Sequence, residues 1–300
     1  MTAVNPSRIA GAPISWGVCE VPGWGRQLAP DRVLGEMTSL GLTATELGPV
    51  GYLPLDAARL RAQLDRHGLR LVGGFVPVVL HEPTLDRTLA EQMAGLMSVA
   101  GAELFVGAIV MDRDWSPPRP LDDDEWARLV KHLHEIDALV AAYGLELALH
   151  PHVGTLIETH EQVERLMADA DVGWCLDTGH LLIGGTDPAQ FAQEHGDRVS
   201  HVHLKDVDAA VARRLRAGEL TLVQAVQQGL FRPLGQGDAG IDAVLRELDG
   251  AGYERWLVLE QDTAITGEEP PVGRGPVEAV KASIDHLTAL APRKQEEVGS

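Results

Sequence analysis

Short apolar runs alternate with stretches of helical periodicity along most of the chain. The first run, Ile9 to Gly17, leads through a Gly/Pro loop at Val21–Gly25 into a helix over Asp31–Gly41, closed by its glycine. A short strand at Ala44–Gly48 precedes a helix over Asp56–His67 that stops at Gly68. Leu69–Val78 and Glu103–Val110 read as strands three and four, flanking a helix at Thr84–Ala100. The Pro-containing loop Asp112–Asp124 is long enough to cover one end of a domain, and a helix over Asp123–Tyr143 follows. Strands five, six and seven begin at Leu145, Val172 and Val199. Between them lie a helix with Thr159 and Gln162 spaced as a capping box and another over Pro188–His195. After Asp206 the rhythm breaks, and Ala209–Leu230 reads as one or two extra helices. A helix at Ile241–Asp249, a strand at Trp256–Asp262 and a helix at Val277–Leu290 complete the count.

Eight strand–helix units predict an α/β fold, a (β/α)8 TIM barrel with a helical insertion after strand seven. No composition shift or linker divides it, so residues 1–292 are expected to form one barrel and 293–300 a polar tail. The absence of Gly-x-Gly-x-x-Gly after the first strand argues against a doubly wound open sheet. Three hundred residues suit one such barrel.

A formal net charge of -19 argues against a nucleic-acid partner and an anionic membrane, and favours a small neutral substrate or one gripped by a local cationic centre. Cys19 and Cys175 do not make a disulfide framework, and Cys175 is expected to pack as a small apolar group. Neither a basic-then-apolar leader nor a bilayer-length apolar run is read, so a cytoplasmic protein is the expectation.

The chemistry gathers at strand ends. Side chains two apart share a strand face, which groups His150 with His152, Cys175 with Asp177, His201 with His203 and Lys205, and Glu260 with Asp262. If these faces point into the barrel, Asp177, His203 and Glu260 meet at the C-terminal mouth, a donor set suited to Mn²⁺, Co²⁺, Mg²⁺ or Zn²⁺. A single one of them would read as an ordinary polar strand end; three on consecutive strands favour a metal. His201 reads as a supporting or core histidine. His132 and His134 read as a solvated helix face, His67 and His195 as helix C-terminal residues, and Asp122–Glu125 as a helix N-terminus.

The runs His150–Thr155, Leu176–His180 and His201–Asp206 resemble the inosose dehydratase branch of the xylose isomerase-like TIM-barrel family. Ala12–Trp16, Glu46–Gly48, the segment Arg213–Leu230 and Gly235–Asp238 are similar to that branch as well, so the resemblance spans nearly the whole chain. It implies a divalent metal, Mn²⁺ or Co²⁺ foremost, held by Asp177, His203, Glu260 and a strand-five group. The wider family has a glutamate at strand five, where this chain has His150, and the fourth ligand stays open among Glu158, His150 and His152.

A cation on a ketone oxygen and its neighbouring hydroxyl lowers the energy of the enediolate formed when the adjacent C–H is deprotonated. Glu46, His152, His180 and Lys205 are the acid–base candidates, with Lys205 also read as a clamp on a substrate hydroxyl. Trp16, His150 and Gln236 are the candidate substrate contacts. The implied activity is dehydration of a keto-inositol. Isomerisation or epimerisation of a keto-sugar, or β-elimination from a 3-keto-glycoside, would use the same chemistry. A DNA-repair endonuclease of the same barrel family is set aside by the charge, and a non-catalytic sugar-binding barrel is the remaining alternative. A homo-oligomer is compatible with all of these.

Overall fold

The computed structural model describes residues 4–21 and 23–290, so the expected tail over 293–300 lies outside the described residues. The barrel strands are β1 (Ile9–Gly11), β2 (Ala44–Thr45), β3 (Arg70–Leu71, resuming as Gly73–Val78), β4 (Leu104–Ile109), β5 (Glu146–Leu149), β6 (Trp174–Asp177), β7 (Val199–Leu204) and β8 (Leu257–Leu259). All neighbours pair in parallel. The first half of β3 pairs with β2 and the second half with β4, so the interruption at Val72 lets one strand close the sheet into a barrel.

Eleven helices follow in chain order: α1 (Pro30–Ser39), α2 (Ala57–His67), α3 (Thr88–Ala100), α4 (Asp123–Ala142), α5 (His160–Asp169), α6 (Thr178–Gly184), α7 (Pro188–His195), α8 (Ala209–Arg216), α9 (Leu222–Gln227), α10 (Ile241–Gly250) and α11 (Pro276–Ala289), counted among the described residues. The expected capping box at Thr159 and Gln162 forms, and Asp122 with Glu125 makes another at the start of α4. The reading of His132 as solvated is corrected: it is buried on α4, and its Nδ1 lies 2.9 Å from the Leu80 carbonyl oxygen. The helix has a wider apolar face than its charged start suggested, and that face includes position 132. None of the helices among the described residues is long and apolar enough to cross a membrane.

Three cores hold the molecule. Small side chains, including Ala10, Ala44, Val106, Ala148, Cys175 and Val258, fill the barrel interior. A larger apolar layer lies between strands and helices. A third cluster sits over the C-terminal mouth, where Trp24, Val153 and Ile183 meet Ala212, Ala225 and Phe231 of the insertion. The insertion, expected as one or two helices, is two, α8 and α9. Its two ends are pinned by an antiparallel ribbon of Asp206–Val207 with Phe231–Arg232. Val258 and Cys175 point inward, and strand alternation then turns Asp177 and Glu260, two residues further on, toward the same interior at the mouth.

Candidate metal centre and active site

Strand register sets the site. Asp177 pairs with His203 across β6 and β7, and His203 with Val258 across β7 and β8, so one level of the barrel carries both polar ends. Asp177 is also the N-cap of α6, a helix the sequence pattern did not reveal. Its Oδ1 accepts the Gly179 and His180 N–H groups, each at 2.8 Å. That leaves Oδ2 facing inward, 3.3 Å from His150 Nε2 and 3.6 Å from His203 Nδ1. Glu260 Oε2 stands 3.2 Å from the same His203 Nδ1. On its other side His203 Nε2 lies 2.9 Å from Glu46 Oε1, which His201 Nε2 also reaches at 2.7 Å.

Lys205 is almost wholly buried beside them. Its Nζ lies 2.7 Å from Asp262 Oδ1, 3.0 Å from Glu260 Oε2, 3.6 Å from Asp177 Oδ2 and 3.1 Å from His180 Nε2. Its stem crosses Gly179 so closely that a Cβ there would sit 2.7 Å from Lys205 Cγ. Burial alone would lower the lysine, but the charges of Asp177, Asp262 and Glu260 outweigh it and raise it well above its ordinary value. Burial likewise opposes charge on Asp177 and Glu260. Lys205 and the histidines reverse that, holding Asp177 well below the usual carboxylate range and Glu260 at about 2. Asp262 is lifted to about 6 by burial, with Lys205 opposing and Glu260 reinforcing the rise.

Asp177, His203 and Glu260 each offer one ligand atom, all within 4.8 Å of one another. Two further observations fit a divalent cation there. His203 Nδ1 is buried without a hydrogen-bond partner, and the Lys205 ammonium leans on the same two carboxylates where positive charge is wanted. A mixed carboxylate and imidazole set with open positions suits a catalytic divalent metal.

Above this floor opens a cavity of about 440 Å³ lined by Glu46, His150, His152, Lys205, Glu260 and Asp262, with apolar walls. His152 lies against His180, ring centroids 3.9 Å apart. Its Nδ1 is 2.8 Å from the Val153 carbonyl oxygen, which can only accept, so the proton sits on Nδ1 and the lone pair on Nε2. Burial, then the neighbouring His150 and Lys205 charges, lower its pKa to about 3, so the imidazole is neutral. Phe75 and Trp115 stack along one wall with centroids 6.1 Å apart, and both also face the His152 ring. Trp115 is held at φ 58, in a turn whose Asp114 and Ser116 N–H groups donate to Asp112 Oδ1.

The sequence-predicted residues thus divide. Asp177, His203 and Glu260 come together; His150, His152, Lys205 and Glu46 join them at the cavity; His180 is buried behind His152. Trp16 is corrected: it is fully buried and outside the cavity lining, its Nε1 donating to Glu36 at 2.8 Å, so it packs in the core. Gln236 is corrected too. It is exposed and outside the cavity lining, while its neighbours Gly235, Gly237 and Ala239 donate backbone N–H groups to the buried Asp206 carboxylate. Glu158 is not among the groups of ligand atoms that come together, and its Oε2 accepts the Gly154 N–H at 2.7 Å. Phe75, Trp115 and Asp262 also line the cavity; none was a candidate site residue, although strand parity had grouped Asp262 with Glu260. The one signal for Trp115 was its place in a loop long enough to cover the mouth.

Comparison with known proteins gives a consistent picture. The profile of the xylose isomerase-like TIM barrel family matches residues 34–290. An inosose dehydratase of Geobacillus kaustophilus is 36% identical over 87% of this chain and 90% of its own. The rhizopine catabolism protein MocC of Rhizobium meliloti is 33% identical over 95% of this chain and 88% of its own. Among solved structures, the IolI protein with a bound zinc atom superposes with a TM-score of 0.66 at 16% identity, covering 94% of this chain and 98% of that one, a likeness of fold.

Proposed function

The chain belongs to the xylose isomerase-like TIM-barrel family, and from that premise we propose that it is a divalent-metal-dependent carbon–oxygen lyase that dehydrates a keto-inositol. The observation that carries the reading is the convergence, on one cavity floor, of the Asp177–His203–Glu260 cluster with a neutral imidazole and a buried ammonium. Relatives named inosose dehydratase supply the substrate class.

Asp177, His203 and Glu260 would hold the metal, which when bound stabilises negative charge developing on a keto oxygen. Mn²⁺ or Co²⁺ is the expected ion, with Mg²⁺ and Zn²⁺ compatible with the donors. His152, with its lone pair on Nε2, takes the proton from the carbon beside the ketone. Lys205, kept protonated by three carboxylates, gives a proton to the departing hydroxyl, so that water leaves. Lys205 is the sole Lys or Arg in the lining among the described residues, and three carboxylates already match its charge, so no side chain of the lining offers a free cation to a phosphate or carboxylate. An uncharged ring polyol fits, its ring face against Phe75 and Trp115.

The test is incubation of Mn²⁺-loaded protein with 2-keto-myo-inositol in D₂O, followed by NMR. Appearance of the dione supports the lyase. Deuterium at carbon without loss of water would assign the alternative, epimerisation or isomerisation.

A further inference from the structure

We propose that Glu46 is a positioning residue: by accepting hydrogen bonds from both His201 and His203, it fixes the His203 tautomer that presents Nδ1 to Asp177 and Glu260. The inference rests on reading those three residues as a metal site. Glu46 follows β2, across the barrel from β7, and its carboxylate is buried. A single oxygen, Oε1, lies 2.7 Å from His201 Nε2 and 2.9 Å from His203 Nε2. A carboxylate has only lone pairs to offer, so both Nε2 atoms carry protons. In His203 the coordinating lone pair must then be on Nδ1, the atom 3.2 Å from Glu260 and 3.6 Å from Asp177 and otherwise without a hydrogen-bond partner.

The backbone fixes the carboxylate's reach. Glu46 N–H donates to the Gly11 carbonyl at 3.0 Å, and the Thr45 hydroxyl donates to the Glu46 carbonyl at 2.9 Å. Glu46 borders the cavity, so the competing role is direct proton abstraction from substrate. Oε1 already accepts two N–H groups, so the two histidines orient this carboxylate and engage the oxygen that a base would need. A carboxylate behind a ligand histidine instead raises the histidine's donor strength and sets its ring, a support whose loss costs about 10- to 100-fold in metal affinity.

The test compares wild type, E46Q and E46L by calorimetric Mn²⁺ titration, by ¹⁵N NMR of the histidines in Zn²⁺-loaded protein, and by kcat. Wild type should show His203 protonated at Nε2 and coordinated at Nδ1. E46Q, which keeps an acceptor, should retain that pattern and lose no more than about tenfold in affinity. E46L should lose the Nε2–H signal and about 10- to 100-fold in affinity. Wild-type Mn²⁺ affinity in E46L would overturn the proposal. So would an E46Q enzyme with unchanged metal affinity and kcat reduced more than about 10³-fold, which is the signature of a base; if E46L does not fold, this arm decides alone. A wild-type protein that binds no Mn²⁺ would remove the metal-site reading itself, a distinguishable failure.

Discussion

Asp177→Asn separates the capping of α6 by this carboxylate from its proposed role as a metal ligand. Oδ1 caps α6 with two N–H contacts at 2.8 Å, and only an oxygen can stay there, so an asparagine must place its carbonyl at that position. Its NH₂ then occupies the Oδ2 position, 3.3 Å from His150 Nε2 and 3.6 Å from both His203 Nδ1 and Lys205 Nζ. The cap survives while the cation meets a donor in place of a charged ligand. Removing one member of a buried charge pair costs about 3–5 kcal/mol, and at about 1.4 kcal/mol per decade this is a loss of about 10²-fold or more in Mn²⁺ affinity. Asp177→Ala should lose the metal equally and the cap in addition, unfolding with about 1 kcal/mol less stability than Asp177→Asn in the metal-free state. Calorimetric titration reads the first quantity and urea denaturation in EDTA the second. Mn²⁺ binding by Asp177→Asn within tenfold of wild type, or equal stability of the two variants, would refute the reasoning.

Other substitutions probe the surroundings. Asp206→Ala strips the acceptor from four backbone N–H groups, of which Val207 and Ala239 are buried, so we expect about 2–6 kcal/mol of destabilisation by urea unfolding; a loss below 1 kcal/mol on the order-of-magnitude scale of one hydrogen bond would contradict the clasp. His152→Gln should lower kcat by about 10²- to 10⁴-fold with Mn²⁺ affinity almost unchanged, and an equal fall in both would make His152 a ligand instead. Gly179→Ala drives a methyl to 2.7 Å from Lys205 Cγ and 2.9 Å from Cδ. Its kcat should fall at least about tenfold, because a base or acid moved by about an ångström loses alignment; wild-type kinetics would show that Lys205 does not need its present place.

Much of this architecture is legible in the sequence because each strand is an apolar run with a turn behind it. The parity of Cys175 with Asp177, and of His201 with His203, places the polar ends on the barrel's inner face, and the structure puts Cys175 among interior packing residues. The break in β3 at Val72 and the short helix α6 were not legible. Asp177-Thr-Gly-His180 reads as a strand tip, and nothing in the pattern says that the aspartate also caps a helix. Trp16 packs in the core and Trp115 lines the cavity for a three-dimensional reason. Glu36 on α1 draws the Trp16 indole inward, while the loop after β4 folds over the mouth. The Gly235–Asp238 segment entered the sequence reading through the family resemblance, with Gln236 as a candidate substrate contact, but its backbone N–H groups meet an anion of the protein itself. Here the anion is the chain's own Asp206, and a Cβ at Gly237 would collide with it at 2.5 Å.

Turnover of 2-keto-myo-inositol by protein stripped with EDTA and then reconstituted with Mn²⁺ is the most direct measurement. The account predicts no dione from the stripped protein, its appearance on reconstitution, and none from Asp177→Asn at the same Mn²⁺ concentration. Undiminished dehydration by stripped protein, or no dehydration by protein shown to hold one Mn²⁺ per chain, would contradict it.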